Sequence, residues 1–175
     1  PQDGHEKQDC ERAAAKRWLE QYGTRYAAFK ATLLGDDLFC NQPLCELILE
    51  KKFNFILTCK PDSHPELYQM VAFLQANGPV EPFSERVWKG KHAEIYTYRY
   101  VQEVPLRAGA DALKVNWCEL SLQHETTGKI TYRNAWATHH PITRTTVKAI
   151  VQAGRTRWKV ENENNNVLKT KGYHI

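Results

Sequence analysis

Residues 28–77 alternate short apolar runs with helical segments, and this alternation constrains the fold more than any other feature of the chain. The run "YAAFKATLLGDD" has strand character and is stopped at Gly35. Asn41 is placed to cap a helix over 42–52 in which Leu44, Leu47 and Ile48 share one face. The segment "FNFILTC", 53–59, has the length and continuous apolarity of a buried strand. Ser63, Pro65 and Glu66 then read as a capping box with proline in the first turn, opening a helix that ends at Asn77-Gly78-Pro79. Strand, helix, strand, helix predicts a β-α-β unit, hence a parallel sheet covered by helices.

The flanks follow other rules. Asp9 to Tyr22 reads as a helix capped by Asp9 and ended by Gly23. From about residue 85 the period changes to strand alternation, with Lys89-Gly90 as a hairpin turn and a Thr-Gly turn further on. This block, 85–140, predicts antiparallel strands with Trp88, Trp117 and Trp136 in the core or in half-buried cross-strand pairs. Pro141 ends it. Thr143 is placed to cap a final helix running to about Lys171, with Gly154 as its weak point.

An apolar share of 42% over 175 residues is enough for one domain core. No stretch reaches the length of a membrane span and no signal peptide opens the chain. The polar start without Met and the stop just after Gly172 point to a piece of a longer protein. Five cysteines, at 10, 40, 45, 59 and 118, lack zinc-finger spacing and read as buried or half-buried thiols in a reducing, cytosolic compartment. His139-His140 has no third metal ligand at helical or hairpin spacing. There is no Gly-rich phosphate loop and no G-x-S-x-G.

The net charge of +4 is unevenly placed. Residues 141–175 hold seven Lys/Arg against two acids, leaving the remainder near neutrality. A basic end on a near-neutral body fits a polyanionic partner such as nucleic acid, or a solvated helix face. Arg86, Lys89, Lys91 and His92 surround the hairpin tip, where they can meet phosphates or simply solvate a turn.

Two acidic positions stand out. Asp36 and Asp37 follow the first strand of the β-α-β unit, at the edge where ligands gather in open α/β sheets. Acid pairs are also common in turns, where Asp bonds its own backbone. In the final helix, stepping about 100° per residue from Arg157 puts Ile150 and Leu168 near 20° and Glu161 near 40°. Glu163 falls near 240°, on the polar side. Glu161 therefore faces inward, either paired with Arg157 one turn earlier or serving as a metal ligand. Asn164 and Asn165 fall on the same arc, and so partly polar an inward face suits a cleft.

"RWKVENENNNVLKTKGYH" resembles the C-terminal signature of DDE-type insertion-sequence transposases of the Tyr-Arg-Glu-Lys group, Y-x2-R-x3-E-x6-K, in which Trp commonly follows the Arg. Arg157, Trp158 and Glu161 match R-W-x-x-E. "LLGDDLFCNQPLCELILEKKFNFILTCKPDSH" resembles the segment around the second catalytic Asp of that family. Gly154 stands at the motif's Tyr, and Leu168 at its Lys, with Lys169 one residue later.

The resemblance implies a partial RNase H-like fold, a β-α-β unit plus a final long helix, with an inserted antiparallel β-rich subdomain. Residues 1–175 would be a fragment of one catalytic domain: 28–84 with the second Asp, 85–140 the insertion, and 141–175 the basic helix with the catalytic Glu. Asp36 is the favoured second Asp, because D-x-x-F then matches the family spacing, with Asp37 as its competitor. Asp36 and Glu161 would bind Mg²⁺ or Mn²⁺, and two such ions would clamp the attacking and leaving oxygens of a phosphodiester. Arg155, Arg157, Lys159, Lys169, Lys89 and Lys91 would contact double-stranded DNA at transposon ends and target. The family also implies a homodimer of the full-length protein, no membrane, and a bacterial cytoplasmic, nucleoid-associated location. The first catalytic Asp is not apparent upstream of Asp36, so the fragment is expected to be inactive alone. The alternatives are a non-catalytic DNA-binding remnant and a metal-dependent nuclease of related fold.

Overall fold

The computed structural model describes residues 10–78 and 82–159, the last two by their backbone alone. The predicted alternation is present as β1 (Thr32–Gly35), α2 (Gln42–Glu50), β2 (Asn54–Thr58) and α3 (Pro65–Asn77). β1 and β2 are parallel, in the register Leu33↔Phe55 and Gly35↔Leu57. Four antiparallel strands follow: β3 (Phe83–Trp88), β4 (Ala93–Pro105), β5 (Lys114–His124) and β6 (Ile130–Thr138). All six strands form one mostly antiparallel sheet in the order β1-β2-β6-β5-β4-β3. The antiparallel block is thus not a layer apart from the β-α-β unit. β6 pairs with β2 at Ile56↔Thr138 and Leu57↔Ala137, and the buried Thr138 Oγ1 donates to the Phe55 carbonyl at 2.6 Å.

Both faces of the sheet are covered, so its central strands are apolar on successive residues. α1 (Glu11–Tyr26), α2 and α3 lie over one face, burying Leu19, Leu44, Ile48 and Leu67 with Phe55, Leu57, Trp117 and Ala137. On the other face Ile56, Cys118, Leu120 and Trp136 meet Val147, Ile150 and Val151 of α4 (Val147–Lys159). The alternation is visible in β6, where Ala135 and Ala137 face one layer and Trp136 the other. In β4 a register shift between Val101 and Val104, with Glu103 at φ 59°, puts both valines in the same layer although they are three residues apart.

Several local expectations are corrected. α1 does not end at Gly23, which lies buried inside it; a Cβ there would sit 2.9 Å from Lys51 Cγ, so the glycine lets α1 approach the end of α2. Cys10 occupies the position before α1 without a side-chain cap, and Asp9 lies outside the described residues. Much of the apolar run before Thr32 is not strand: 27–29 form a single 3₁₀ turn, and Lys30 at φ 47° redirects the chain into a four-residue β1. Ser63 does not cap α3; His64 holds that position and the Ser63 hydroxyl is used elsewhere. Trp117 and Trp136 are core residues, but Trp88 is exposed at the end of edge strand β3, with the Arg86 guanidinium 6.0 Å from its ring centre. α4 begins at Val147, after a turn in which the Thr143 hydroxyl accepts from the Thr146 amide at 3.2 Å. Its predicted extension beyond 159 lies outside the described residues.

One buried charge locks the antiparallel strands together. Glu119 is 4% exposed and accepts from Arg99 Nε at 2.9 Å and from Arg133 Nε at 2.8 Å. Glu119→Ala leaves two guanidinium groups facing each other beside Trp117. It is expected to cost about 2–3 kcal/mol, less than a fully buried pair because Arg133 is half exposed. Urea unfolding of the variant against the parent measures that loss.

Candidate functional site

β1 and β2 run parallel, so their carboxyl ends and the loops that follow them lie side by side. Asp36 and Asp37 leave β1 at that edge, and Thr58, Cys59 and Lys60 leave β2. On the second face, α4 lies across β1, β2, β4 and β5. What brings α4 close is Gly154. It is buried against Trp136, and a Cβ at that position would run into the Trp136 indole. The tyrosine that the transposase motif carries at this position has no room here.

Between α4 and the strand ends is an open cleft of about 540 Å³, lined by Asp36, Thr58, Lys60, Tyr132, Asn134, Gly154, Arg155 and Arg157. Its charged lining is three cations and one carboxylate, so it attracts anions. The Arg155 guanidinium lies 4.8 Å from the centre of the Tyr132 ring, which limits its motion while leaving its donors available. The same arrangement recurs along this face of the sheet. Lys89 lies over Tyr96, Arg144 over Phe83 and Lys148 over Tyr98, where Lys148 also pairs with Glu85. Lys148, joined by the Tyr98 hydroxyl, holds the Glu85 carboxyl below its usual range.

The two aspartates have separate environments. Asp36 lines the cleft, and its Oδ1 accepts from the Leu38 amide at 2.9 Å in a local turn. Asp37 is committed to the β2-α3 loop. Its Oδ1 accepts from the Lys60 amide at 2.7 Å, its Oδ2 accepts from the Ser63 hydroxyl, and His64 Nε2 is 3.6 Å from Oδ1. Lys89 and Lys91 sit at the β3-β4 hairpin tip, where the Lys89 amide donates to the His92 carbonyl at 2.8 Å. Lys159 closes the described part of α4. Glu161, Lys169, Glu163, Asn164 and Asn165 lie outside the described residues.

Behind Asp37 is a cluster the sequence did not reveal. Cys40, Cys59 and His64 are all buried, and one ligand atom from each lies within 4.8 Å of the others. Cys40, Cys45, Cys59 and Cys118 are buried free thiols, as expected, whereas Cys10 is exposed. The signal available in the sequence was that Cys40 follows β1 and Cys59-x4-His64 follows β2, so both belong to one β-α-β crevice. Thr58 and Lys60 at the end of β2 were also missed as cleft residues, as were Tyr132 and Asn134, because β6 reaches the cleft through its pairing with β2. The other histidine of interest, His140, shares a 2.9 Å hydrogen bond with Thr32 Oγ1 and ties the end of the sheet to β1. No known family model matches the sequence, and no curated protein matches it.

Replacing the two aspartates separates their roles. Asp37→Ala removes two tertiary hydrogen bonds and is expected to lower stability by about 1–3 kcal/mol. Asp36→Ala removes one local bond and is expected to change it by under about 1 kcal/mol. Thermal or chemical denaturation of the pair of variants reads the difference.

Proposed function

We propose that this chain is part of the RNase H-like catalytic region of a DDE-type transposase, with Asp36 as its second metal-binding carboxylate. The supporting observation is that Asp36, at the carboxyl end of β1, shares one cleft with Arg155 and Arg157 of α4, the helix whose sequence continues to Glu161. A carboxylate beside clustered guanidinium groups is what phosphodiester chemistry needs from a protein: an anchor for cations, and donors for phosphate oxygens.

The donor set at the cleft fits a hard cation. The Asp36 carboxylate, the Thr58 hydroxyl and the Asn134 amide offer oxygens, and the thiols lie behind Asp37 instead. Mg²⁺ or Mn²⁺, when bound, would neutralise phosphate charge and activate the attacking oxygen. Asp36 and Glu161 would hold it, together with a further carboxylate from outside these 175 residues. Arg155 and Arg157 would position the scissile strand, and Lys60 would meet a neighbouring phosphate. Lys89 and Lys91, at the hairpin tip, would extend the contact along double-stranded DNA. Asp37 serves as the scaffold of the adjoining loop.

Two measurements bear on this reading. In fluorescence anisotropy with duplex DNA, Arg155→Ala/Arg157→Ala is expected to weaken binding at least about tenfold. The double variant should also flatten the salt dependence by roughly two phosphate contacts, each worth a slope of about 0.9. Unchanged affinity and slope would remove the DNA-binding assignment. With Mg²⁺ or Mn²⁺, residues 1–175 alone are expected to leave transposon-end DNA uncut; metal-dependent cleavage lost in Asp36→Ala would show the site to be complete without a further carboxylate.

A further inference from the structure

We propose that Cys40, Cys59 and His64 form a three-ligand zinc site that clips the β1-α2 loop to the β2-α3 loop. The inference is independent of the DNA-cleaving role, because it concerns a different cluster and needs no nucleic acid.

The Cys40 and Cys59 sulfurs and a His64 ring nitrogen lie within 4.8 Å of one another. Ligands of a tetrahedral zinc ion are separated by roughly 3.3–3.8 Å, given bonds of about 2.0–2.3 Å, so a small inward movement closes the site. The Asp37 carboxylate borders the group, with Oδ1 3.6 Å from His64 Nε2.

His64 is 7% exposed, and its Nε2 is buried without a hydrogen-bond partner. A buried ring nitrogen of this kind normally has a hydrogen bond, and its nearest acceptor, Asp37 Oδ1, lies beyond hydrogen-bond length at 3.6 Å.

The donor chemistry selects the ion. Two sulfurs and an imidazole are soft or borderline ligands; they favour Zn²⁺ and exclude a dedicated Mg²⁺ site. The neighbouring Cys59 and burial push the Cys40 thiol up. Zinc uptake forms two Zn–S bonds, and the two thiol protons leave to solvent with no change of oxidation state. The sequence lacks zinc-finger spacing because the ligands converge from two loops separated by α2 and β2.

The test uses residues 1–175, reduced and stripped of metal, titrated with Co²⁺ and then Zn²⁺. A thiolate-to-metal absorption band should saturate at one Co²⁺ per chain and be abolished by Zn²⁺. Cys40→Ser/Cys59→Ser should lose the band, and Cys10→Ser should keep it. Zn²⁺ should also raise the melting temperature of the parent protein and slow alkylation of Cys40 and Cys59 relative to Cys10, a readout that needs no variant. Absence of the band, its persistence in the double variant, or equal alkylation rates with and without Zn²⁺ would overturn the site. So would a Cys40–Cys59 disulfide that forms equally fast when Zn²⁺ is present.

Discussion

The short ladder between β2 and β6, from Ile56↔Thr138 to Thr58↔Trp136, joins two halves of the chain that local sequence organises differently. On one side is a parallel pair with its crossover helix, and on the other an antiparallel meander of four strands. Thr138 adds a buried side-chain bond to the Phe55 carbonyl at this seam. Residues about eighty positions apart must meet before the ladder forms, so much chain entropy is lost before its contacts are gained. Once formed, it sets Trp136 opposite Gly154 and thereby fixes the depth at which α4 rests on the sheet. The cleft exists because of that spacing: its floor is Thr58 and Asn134, and its far wall is α4.

Asp36 and Asp37 show how one strand end serves two purposes. Consecutive side chains leaving a strand diverge, and here one carboxylate joins the basic cleft while its neighbour turns to the Lys60–His64 segment. A change in the loop that Asp37 holds would be transmitted to Asp36 through a single peptide unit. Stability of the Cys40–His64 region and orientation of the cleft carboxylate are therefore coupled covalently, with no need for a relay of side chains.

The sequence was most legible where local and tertiary demands agree. α2 has its cap in Asn41, which accepts from the Leu44 amide at 3.3 Å, and its apolar face in Leu44 and Ile48; both were visible as pattern. The parallel pairing of β1 and β2 followed from the helix between them. Local rules failed where a distant group competed. Gly23 looks like a helix stop until the Lys51 stem is placed against it. Ser63 looks like a cap until Asp37, 26 residues away, takes its hydroxyl. Trp88 looks like core because hydrophobicity does not tell an edge strand from an inner one. In the candidate site, Asp36 was visible as an acid at a strand end and Arg155 and Arg157 as part of the basic 141–175 segment, whereas Cys40, Cys59 and His64 share no sequence period and meet only through the fold.

The two outer strands, finally, are unlike in a way that bears on association. β3 shows solvent Ser84 and Arg86, and Arg86 is pinned by Glu125 at 2.5 Å, so charge discourages another strand from joining there. β1 is short and carries no charged residue in Thr32–Gly35; Leu34 is 38% exposed beside Leu33 and the exposed aromatic ring of Trp18 on α1. Among the described residues the sheet therefore ends in two unlike edges, a charged one at β3 and an apolar one at β1.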